Sequence, residues 1–353
     1  MKGLCYVDDE KIEIKEFPIP EIEQETDAIV SVTYASICSS DIHIVKGKVP
    51  RAKKGIILGH EGVGIIKKVG KSVKNFKIGD HVSINCITFC GNCYFCKKGY
   101  INNCSNGGWE VGCRINGTLS EQVRIPLADY SLNLIPNENS NNNESDKNYL
   151  FVGDALSSGY FGIDLGQVKK GDIVGVIGCG PVGLCTLICG RMKGAKLIAF
   201  DIDDNCLNFA KKNNFADYYF NPKNFKSDEE LQKQLQEICG EQKGCDCTVE
   251  VAGSDESFQT AWKITRPNGI VSIVAMYEKN QEFPLPLMYG KNLIFKTGGV
   301  DAIKCDYLID LIKNKKISTN ELITHEINFE DVIKGFELFR YKPEHCVKIA
   351  IKL

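Results

Sequence analysis

The chain has almost no excess of charge of either sign. Its 43 lysine and arginine residues stand against 45 aspartate and glutamate residues, which gives a formal net charge of −2 and a pI of about 6.3. Surfaces that bind nucleic acid or an anionic membrane need a clear excess of positive charge. We therefore expect neither a nucleic-acid partner nor a membrane-surface partner.

The sequence also has little that resembles a secretory signal peptide or a membrane span. Its first residues, MKGLCYVDDEKIEIKEF, become charged too early for a secretory signal peptide. Only residues 173–190 form a charge-free run of membrane length, and this run contains five glycines and Pro181. It is better interpreted as a buried strand, a glycine turn and a buried helix than as a membrane span. No internal repeat is visible.

Cysteine, by contrast, is abundant. The chain has 17 cysteines, an odd number that cannot all pair, and several lie within apolar runs, as Cys179, Cys185, Cys189 and Cys247 do. Buried reduced thiols behave as small hydrophobic side chains, and a reducing compartment preserves them. A cytoplasmic location is therefore expected.

The 353 residues are enough for about two domains. Residues 1 to about 130 are typical of short β-strands separated by turns, whereas strands and helices alternate from about residue 170, which predicts a parallel sheet covered by helices. Between them, the asparagine-rich residues 136–147 are expected to form a solvated surface loop. The final residues, VKIAIKL, read as a strand without a local partner, so the tail is expected to rejoin the N-terminal domain.

Four cysteines fall within fifteen residues, at spacings of three, three and eight. Such spacing lets a short loop surround one tetrahedral zinc ion, and Gly91 and Gly99 supply turns. Because all four positions are cysteine, no position stays open for substrate, so the zinc would be structural. A four-cysteine iron–sulfur cluster and a chance cluster remain alternatives. The four residues are Cys90, Cys93, Cys96 and Cys104.

A glycine motif follows the apolar strand IVGVI and opens a helix. In a dinucleotide-binding fingerprint, Gly178 would permit the tight turn, Gly180 would let the backbone approach the pyrophosphate, and Gly183 would let helix and sheet pack closely. Asp201 ends the next strand, where a carboxylate can accept hydrogen bonds from the adenosine ribose. The alternative role for Asp201 is that of a helix cap or turn residue.

Cys38 and the pair His60-Glu61 lie in the glycine-rich stretches ASICSSDIH and LGHEGVG. A thiolate and an imidazole can hold a catalytic zinc with one further protein ligand, which leaves the fourth position for a substrate oxygen. A lone cysteine and a lone histidine would usually be core residues. A metal site at Cys38 and His60 is favoured only because the four-cysteine loop and the glycine motif occur in the same chain.

These motifs occur in a characteristic order: CSSDIH, GHEGVG, KIGDHV, the four-cysteine loop, GCGPVG, FDIDDN and KTGGV. With them, the chain resembles the zinc-dependent medium-chain alcohol dehydrogenases over almost its full length. Within that family it is most similar to bacterial-type secondary-alcohol and polyol dehydrogenases. The resemblance implies an α/β protein with a partly open, GroES-like β-barrel catalytic domain and a doubly wound Rossmann domain. The expected bounds are 1–155 for the catalytic domain, with a zinc lobe at about 88–106, 156–297 for the nucleotide domain, and 298–353 for a return to the catalytic domain.

The resemblance also implies a ligand set for a catalytic zinc. Cys38, His60 and Asp154 would be the protein ligands, and Glu61 would be a neighbouring group or an exchangeable fourth ligand. Asp154 could instead only cap the helix that begins near Ser157.

Further roles follow by position in the family's motifs. Asp41 would accept a hydrogen bond from the second nitrogen of His60, while Ser40 and His43 would relay the alcohol proton to solvent. His43 could instead be structural, and Trp109 could be ordinary core packing. The resemblance implies Trp109 and Cys86 for the substrate pocket, and Ser158, Pro181 and Val182 among the residues at the cofactor.

The expected function is oxidation of an alcohol, with a small secondary alcohol favoured, to a ketone or aldehyde, and the reverse reduction. Zinc would lower the pKa of the bound alcohol, and hydride would pass to the nicotinamide. Two zinc ions and NAD are the expected cofactors. NAD is expected rather than NADP, because Asp201, Asp203 and Asp204 would repel the 2′-phosphate of NADP. A homotetramer or homodimer is expected. Alternatives are a polyol, butanediol, threonine or formaldehyde dehydrogenase and, in another class, a non-catalytic zinc and nucleotide-binding protein.

Overall fold

The chain forms two compact units in the computed structural model, which describes residues 1–137, 143–341 and 345–353. The first unit comprises Met1–Ser157 and Asp301–Leu353, and the second comprises Ser158–Val300. The boundaries predicted at 155/156 and 297/298 precede these divisions by a few residues.

Strands dominate the first unit and alternate with helices in the second. In chain order, the strands are β1 (Lys2–Asp8), β2 (Lys11–Glu16), β3 (Ala28–Ser36), β4 (Glu61–Val69), β5 (His81–Ile84), β6 (Gln122–Ile125), β7 (Leu132–Leu134), β8 (Ile173–Ile177), β9 (Lys196–Phe200), β10 (Tyr218–Phe220), β11 (Cys245–Glu250), β12 (Thr265–Ile273), β13 (Ile294–Thr297), β14 (Ile323–Asn328) and β15 (Lys348–Lys352).

The α-helices are α1 (Ser39–Val45), α2 (Tyr94–Lys97), α3 (Ala128–Ser131), α4 (Ser157–Leu165), α5 (Pro181–Met192), α6 (Asp204–Lys212), α7 (Asp228–Cys239), α8 (Asp255–Ile264), α9 (Leu285–Met288), α10 (Cys305–Lys313) and α11 (Val332–Tyr341). Short 3-10 turns, a longer 3-10 segment at Asn143–Tyr149 and one π-helical turn, Val152–Leu156, lie between them.

The larger sheet of the first unit runs in the order β14-β15-β3-β4-β5-β7, with β6 paired to β3, and β1 and β2 form a separate hairpin. Apart from the parallel pair β14 and β15, neighbours in this sheet are antiparallel. The C-terminal strand β15 pairs with β3, in the register Ala350 to Ser36. The tail of the chain is thus part of the first unit, and it brings Lys348 into that unit's interior.

The second unit contains one sheet of six strands, all parallel, in the order β10-β9-β8-β11-β12-β13. All five residues of β8 are buried, as expected for an apolar run inside a parallel sheet. Side-chain caps begin the helices that follow: Asp203 caps α6, Ser227 caps α7 and Ser254 caps α8. The α/β class and the parallel sheet predicted from the sequence are confirmed.

Two details differ from the sequence-based expectations. Short helices α1, α2 and α3 interrupt the β region that was predicted without helices, because they are single turns or two turns with no sustained apolar period. Of the segment 136–147, residues 138–142 lie outside the described residues, and the prediction of a solvated loop is wrong for Asp146. This residue is fully buried, accepts a hydrogen bond from Thr33 Oγ1 at 3.0 Å and lies 2.9 Å from His81 Nδ1. These partners compensate the cost of burying its carboxylate.

No helix in the described parts of the chain combines the length and the apolar character that a membrane crossing requires. The apolar run 173–190 is divided between β8 and α5.

Candidate metal centres and cofactor site

Three potential metal ligands from distant parts of the sequence meet in the interior of the first unit. Cys38 stands at the N-terminus of α1, His60 immediately precedes β4, and Asp154 lies in the π-helical turn Val152–Leu156. All three are buried, and their ligand atoms lie within 4.8 Å of one another. A thiol, an imidazole and a carboxylate at this separation suit a tetrahedral zinc ion with one position left for another oxygen.

The side chain of Asp154 faces the other two ligands. Its Oδ2 lies 3.3 Å from Cys38 Sγ and 3.3 Å from His60 Nε2. At the start of α4, the contact comes from the backbone of Asp154: its carbonyl accepts a hydrogen bond from Ser157 Oγ at 3.0 Å. The carboxylate is therefore available as a ligand and is not used as a helix cap.

Each of the three groups changes the pKa of the others. Burial raises the pKa of the Cys38 thiol, and the neighbouring Asp154 carboxylate raises it further. Burial opposes the charged form of His60, but Asp41, Asp154 and Cys38 together raise its pKa well above the usual value. Burial also acts against the ionised Asp154, yet His60 and Lys348 hold its pKa below the usual range. Such a buried, acceptor-rich set fits a divalent cation, which compensates the charge of thiolate and carboxylate ligands.

Asp41 lies beside the second ring nitrogen of His60. Its Oδ1 lies 3.3 Å from His60 Nδ1, and the alignment is too poor for a bond. Both carboxylate oxygens already accept from backbone amides, Oδ2 from Cys38 N at 2.9 Å and Oδ1 from Gly59 N at 3.2 Å. The hydrogen bond between Asp41 and His60 stays a prediction, and the contacts present show that Asp41 ties together the two backbone segments that carry Cys38 and His60.

Glu61 lies outside the group of three ligands and is held from the opposite end of the chain. Its Oε2 accepts a hydrogen bond from Lys348 Nζ, which also donates to the carbonyl of Ile37 at 3.1 Å. Glu61 and Lys348 are both fully buried. The second oxygen of the carboxylate, Oε1, is buried and has no hydrogen-bond partner among the described residues. A buried acceptor left in this condition beside the ligands is consistent with an exchangeable contact to a cation.

Ser40 and His43 lie on the same helix as Cys38. Ser40 Oγ lies 3.7 Å from Cys38 Sγ, and His43, three residues later, is half-buried on the same face of α1. This arrangement puts one hydroxyl at the ligand set and an imidazole one turn further on.

Cys86 and Trp109, the residues predicted for the substrate pocket, both adjoin the ligands. The ring of Trp109 meets the ring of His60 edge to face, with centroids 5.2 Å apart, and its Nε1 donates to Val111 O at 3.1 Å. The Cys86 thiol is buried against the Asp154 carboxylate, and burial followed by that negative charge raises its pKa well above the usual value. The two side chains therefore form apolar walls beside the metal ligands.

The four cysteines of the zinc lobe converge around α2 and the 3-10 turn Ile101–Asn103. All four sulfur atoms lie within 4.8 Å of one another. Backbone amides donate to sulfur, as Cys90 N and Asn106 N do to Cys104 Sγ at 3.3 and 3.4 Å. Backbone hydrogen bonds lower the pKa of Cys93 to about 6, so this residue favours the thiolate form that metals bind. The cluster has the composition and the compactness of a closed, structural zinc site.

The glycine motif occupies the turn between β8 and α5 in the second unit. Gly178 has φ of 102°, in the left-handed region that glycine tolerates best. A Cβ on Gly183 would stand 1.8 Å from the carbonyl oxygen of Gly178, so no other residue fits there. A Cβ on Gly180 would meet nothing within 4 Å, so that position is open to an approaching phosphate. Gly180 is the N-cap of α5 and Pro181 its first residue.

Asp201 follows β9 beside this turn. Its Oδ2 accepts from Cys179 N at 2.7 Å and its Oδ1 from Asp203 N at 2.9 Å. Each oxygen retains a lone pair for a ribose hydroxyl. Among the other predicted cofactor residues, Val182 is half-buried in the first turn of α5, and Ser158 is buried near the start of α4.

Sequence reasoning missed two residues of these sites. Lys348 was treated as part of an ordinary strand, although a lysine followed by the buried run Ile349–Ile351 is an unusual strand pattern that could have indicated a buried partner. Ile202, directly after Asp201, is an apolar side chain that is 57% exposed beside the residue predicted to bind the ribose.

Comparison with known proteins agrees with this arrangement. Residues 24–136 match the family described as alcohol dehydrogenase GroES-like domain, and residues 181–301 match the family described as zinc-binding dehydrogenase. The implied GroES-like and Rossmann-type domains are thereby confirmed.

Individual relatives span all or nearly all of the chain. It is 30% identical to an alcohol dehydrogenase of Cupriavidus necator, over 100% of this chain and 98% of that protein. It is also 30% identical to the NADP-dependent isopropanol dehydrogenase of Thermoanaerobacter brockii, over 93% of each. Among solved structures, the zinc-dependent alcohol dehydrogenase 2 from Streptococcus pneumonia, without ligand, superimposes with a TM-score of 0.90 and is 34% identical, over 100% of this chain and 98% of that one.

Proposed function

The chain belongs to the zinc-dependent medium-chain alcohol dehydrogenase family, and on that basis we propose that it oxidises a small secondary alcohol to its ketone with NAD and catalyses the reverse reduction. Its reaction class is the zinc-dependent interconversion of an alcohol and a carbonyl compound with a nicotinamide cofactor. The choice of NAD, the class of alcohol and a cytoplasmic location are the parts we propose.

One observation carries the assignment of the catalytic centre, namely the meeting of Cys38, His60 and Asp154 in the interior of the first unit. These three side chains would hold a zinc ion, which supplies a Lewis acid that lowers the pKa of an alcohol. The Ser40 hydroxyl, 3.7 Å from Cys38 Sγ, is suited to accept the proton of the alcohol, and His43 to pass it on.

The residues around this centre hold it in place and keep water away. Asp41 ties the backbone of Cys38 to that of Gly59, next to His60, so that two ligands keep their separation. Trp109 and Cys86 present apolar surface to the substrate, which favours a small organic alcohol over water. A second zinc ion, held by Cys90, Cys93, Cys96 and Cys104, would be structural, which gives two zinc ions per chain.

The preference for NAD rests on the carboxylate of Asp201. A 2′-phosphate near this carboxylate would experience like-charge repulsion, whereas two ribose hydroxyls can donate to it. The turn IDDN that follows contains no basic residue, and Asp203 and Asp204 add negative charge. The Thermoanaerobacter brockii relative is described as NADP-dependent, so this family accommodates both cofactors and the turn has to be tested in this chain.

The test compares kcat/KM for NAD and NADP before and after the change Asp201→Gly. We expect at least a tenfold preference for NAD in the unmodified protein, which corresponds to about 1.4 kcal/mol, and a loss of most of that preference in the variant. Asp203→Ser is a matched control, because serine keeps the cap of α6 while one charge is removed. Equal use of NADP by the unmodified protein would contradict the proposal.

We also propose that the protein is a homo-oligomer, a tetramer or a dimer. The second unit ends its sheet with the edge strand β13, and large apolar side chains nearby in sequence are exposed, with Leu285 at 65%, Leu287 at 70% and Tyr289 at 88%. An exposed edge and exposed apolar side chains of this size favour association with a second copy.

A further inference from the structure

The loop that follows α1 is the most basic short segment of the first unit. Residues 46–54, KGKVPRAKK, contain five cations and no acidic residue. Lys54 is compensated by Asp8 and Asp9 of the first hairpin. The other cations of the segment are exposed, so the loop presents a net positive charge close to the helix that carries Cys38.

Arg51 brings this charge to the wall of the predicted substrate pocket. Its guanidinium carbon lies 5.3 Å from the centroid of the Trp109 ring. The same ring meets His60 edge to face at 5.2 Å. Arg51 is thus separated from a zinc ligand by one aromatic ring.

The guanidinium is not neutralised by a nearby acid. No carboxylate lies within 4.0 Å of it among the residues that the structure describes. Glu110, the acidic neighbour of Trp109, is paired with Arg114 at 2.7 Å. The Cys113 thiol lies near enough to Arg51 for the guanidinium to counteract the rise that burial causes in the thiol's pKa, and a thiol accepts hydrogen bonds only weakly. The donors of Arg51 therefore keep capacity for a further acceptor.

We propose that Arg51 is a specificity-determining residue, and that the preferred substrate is an alcohol carrying an anionic group, a carboxylate or a phosphate ester, several bonds from its hydroxyl. A guanidinium matches both anions with paired donors, whereas a neutral alcohol would leave these donors to water. The hydroxyl would lie at the ligand set of Cys38, His60 and Asp154, and the carbon chain would run along Trp109. This inference rests on the proposed function, because it extends the same site.

The test uses pairs of alcohols in which one member carries an anionic group and the other is its neutral counterpart. 3-Hydroxybutyrate is compared with 3-hydroxybutanamide, and the phosphate monoester of propane-1,2-diol at carbon 1 is compared with the diol. We expect at least a tenfold higher kcat/KM for the anionic member, equivalent to about 1.4 kcal/mol. The comparison of carboxylate with phosphate then identifies which anion fits better.

Variants assign the preference to one side chain. Arg51→Gln should bring the ratio of anionic to neutral kcat/KM close to one, mainly through a higher KM for the anion, since the contact is present before and during the reaction. Arg51→Lys should retain part of the preference. Lys48→Gln removes one charge from the same loop and should change the ratio by less than twofold.

Binding gives a readout that does not depend on turnover. In a Trp262→Phe background, Trp109 is the only tryptophan, so its fluorescence reports on ligands at this wall. 3-Hydroxybutyrate should change the emission at concentrations where 3-hydroxybutanamide does not, and Arg51→Gln should abolish the difference.

The outcomes separate the inference from the proposed function. Equal kcat/KM for the two members of each pair, or an unchanged ratio in Arg51→Gln, overturns the inference and leaves the proposed function intact. If no alcohol is oxidised with either cofactor, the proposed function fails, and the fluorescence comparison still decides whether the wall selects anions.

Discussion

Replacing Lys348 by methionine should destabilise the first unit severely. Lys348 and Glu61 are both fully buried and ion-paired, and Lys348 Nζ also donates to the carbonyl of Ile37 at 3.1 Å. Methionine keeps the length of the side chain but removes the charge and both donated hydrogen bonds. The Glu61 carboxylate would then be buried without its lysine partner, and its Oε1 already has no hydrogen-bond partner among the described residues.

The size of the effect follows from this burial. At an effective dielectric constant of 20, two unit charges about 4 Å apart attract each other by about 4 kcal/mol. Removing one partner of a buried ion pair typically costs about 3–5 kcal/mol, because the remaining charge stays desolvated. For a unit of this size, such a loss lowers the melting temperature by roughly 10 °C.

The assay is urea and thermal unfolding, followed by circular dichroism at equal zinc content. The double variant Glu61→Gln/Lys348→Met should recover most of the lost stability, because a neutral amide replaces the isolated carboxylate. Lys352→Met, an exposed position on the same strand, is the control and should change the free energy of unfolding by less than about 0.5 kcal/mol. A loss below about 1 kcal/mol in Lys348→Met would mean that the buried pair contributes little to stability.

Two further predictions concern the metal sites. Asp154→Asn should lower zinc occupancy at the catalytic site and remove most turnover while NAD binding, measured by calorimetry, is retained; full zinc content with near-normal turnover would mean that Asp154 is not a ligand. Cys93→Ser should reduce bound zinc by one equivalent and lower the melting temperature, because the metal helps to order its lobe, whereas Asn102→Ser in the same lobe should leave zinc content unchanged.

The parts of the fold that the sequence predicted well are those with local signals. The apolar run of β8, the turn at Gly178 and Gly183, and the start of α5 follow one another within a few residues, so their pattern is readable without tertiary information. The same holds for the four-cysteine lobe, whose ligands are close in sequence.

Contacts between residues far apart in the sequence were harder to predict. Asp154 was placed at the catalytic centre only through the family resemblance, since nothing local marks it as a partner of Cys38, 116 residues away. Lys348 pairs with Glu61 across 287 residues and was not anticipated. Asp146 was expected in solvent because its neighbours are polar, but His81 and Thr33, brought by β5 and β3, bury it. These contacts depend on which strands lie side by side in the sheet. The local composition of the sequence does not indicate that order.

Alcohol oxidation by this protein should require a zinc ion held by Cys38, His60 and Asp154. The most direct test measures NAD reduction with a panel of secondary alcohols on protein purified without chelator, on protein stripped of zinc, and on stripped protein after zinc is restored. We expect about two zinc equivalents in the first preparation, loss of turnover when zinc is stripped, and return of turnover when zinc is restored. Unchanged turnover by zinc-free protein, or no turnover of any alcohol by the fully loaded protein, would contradict this expectation.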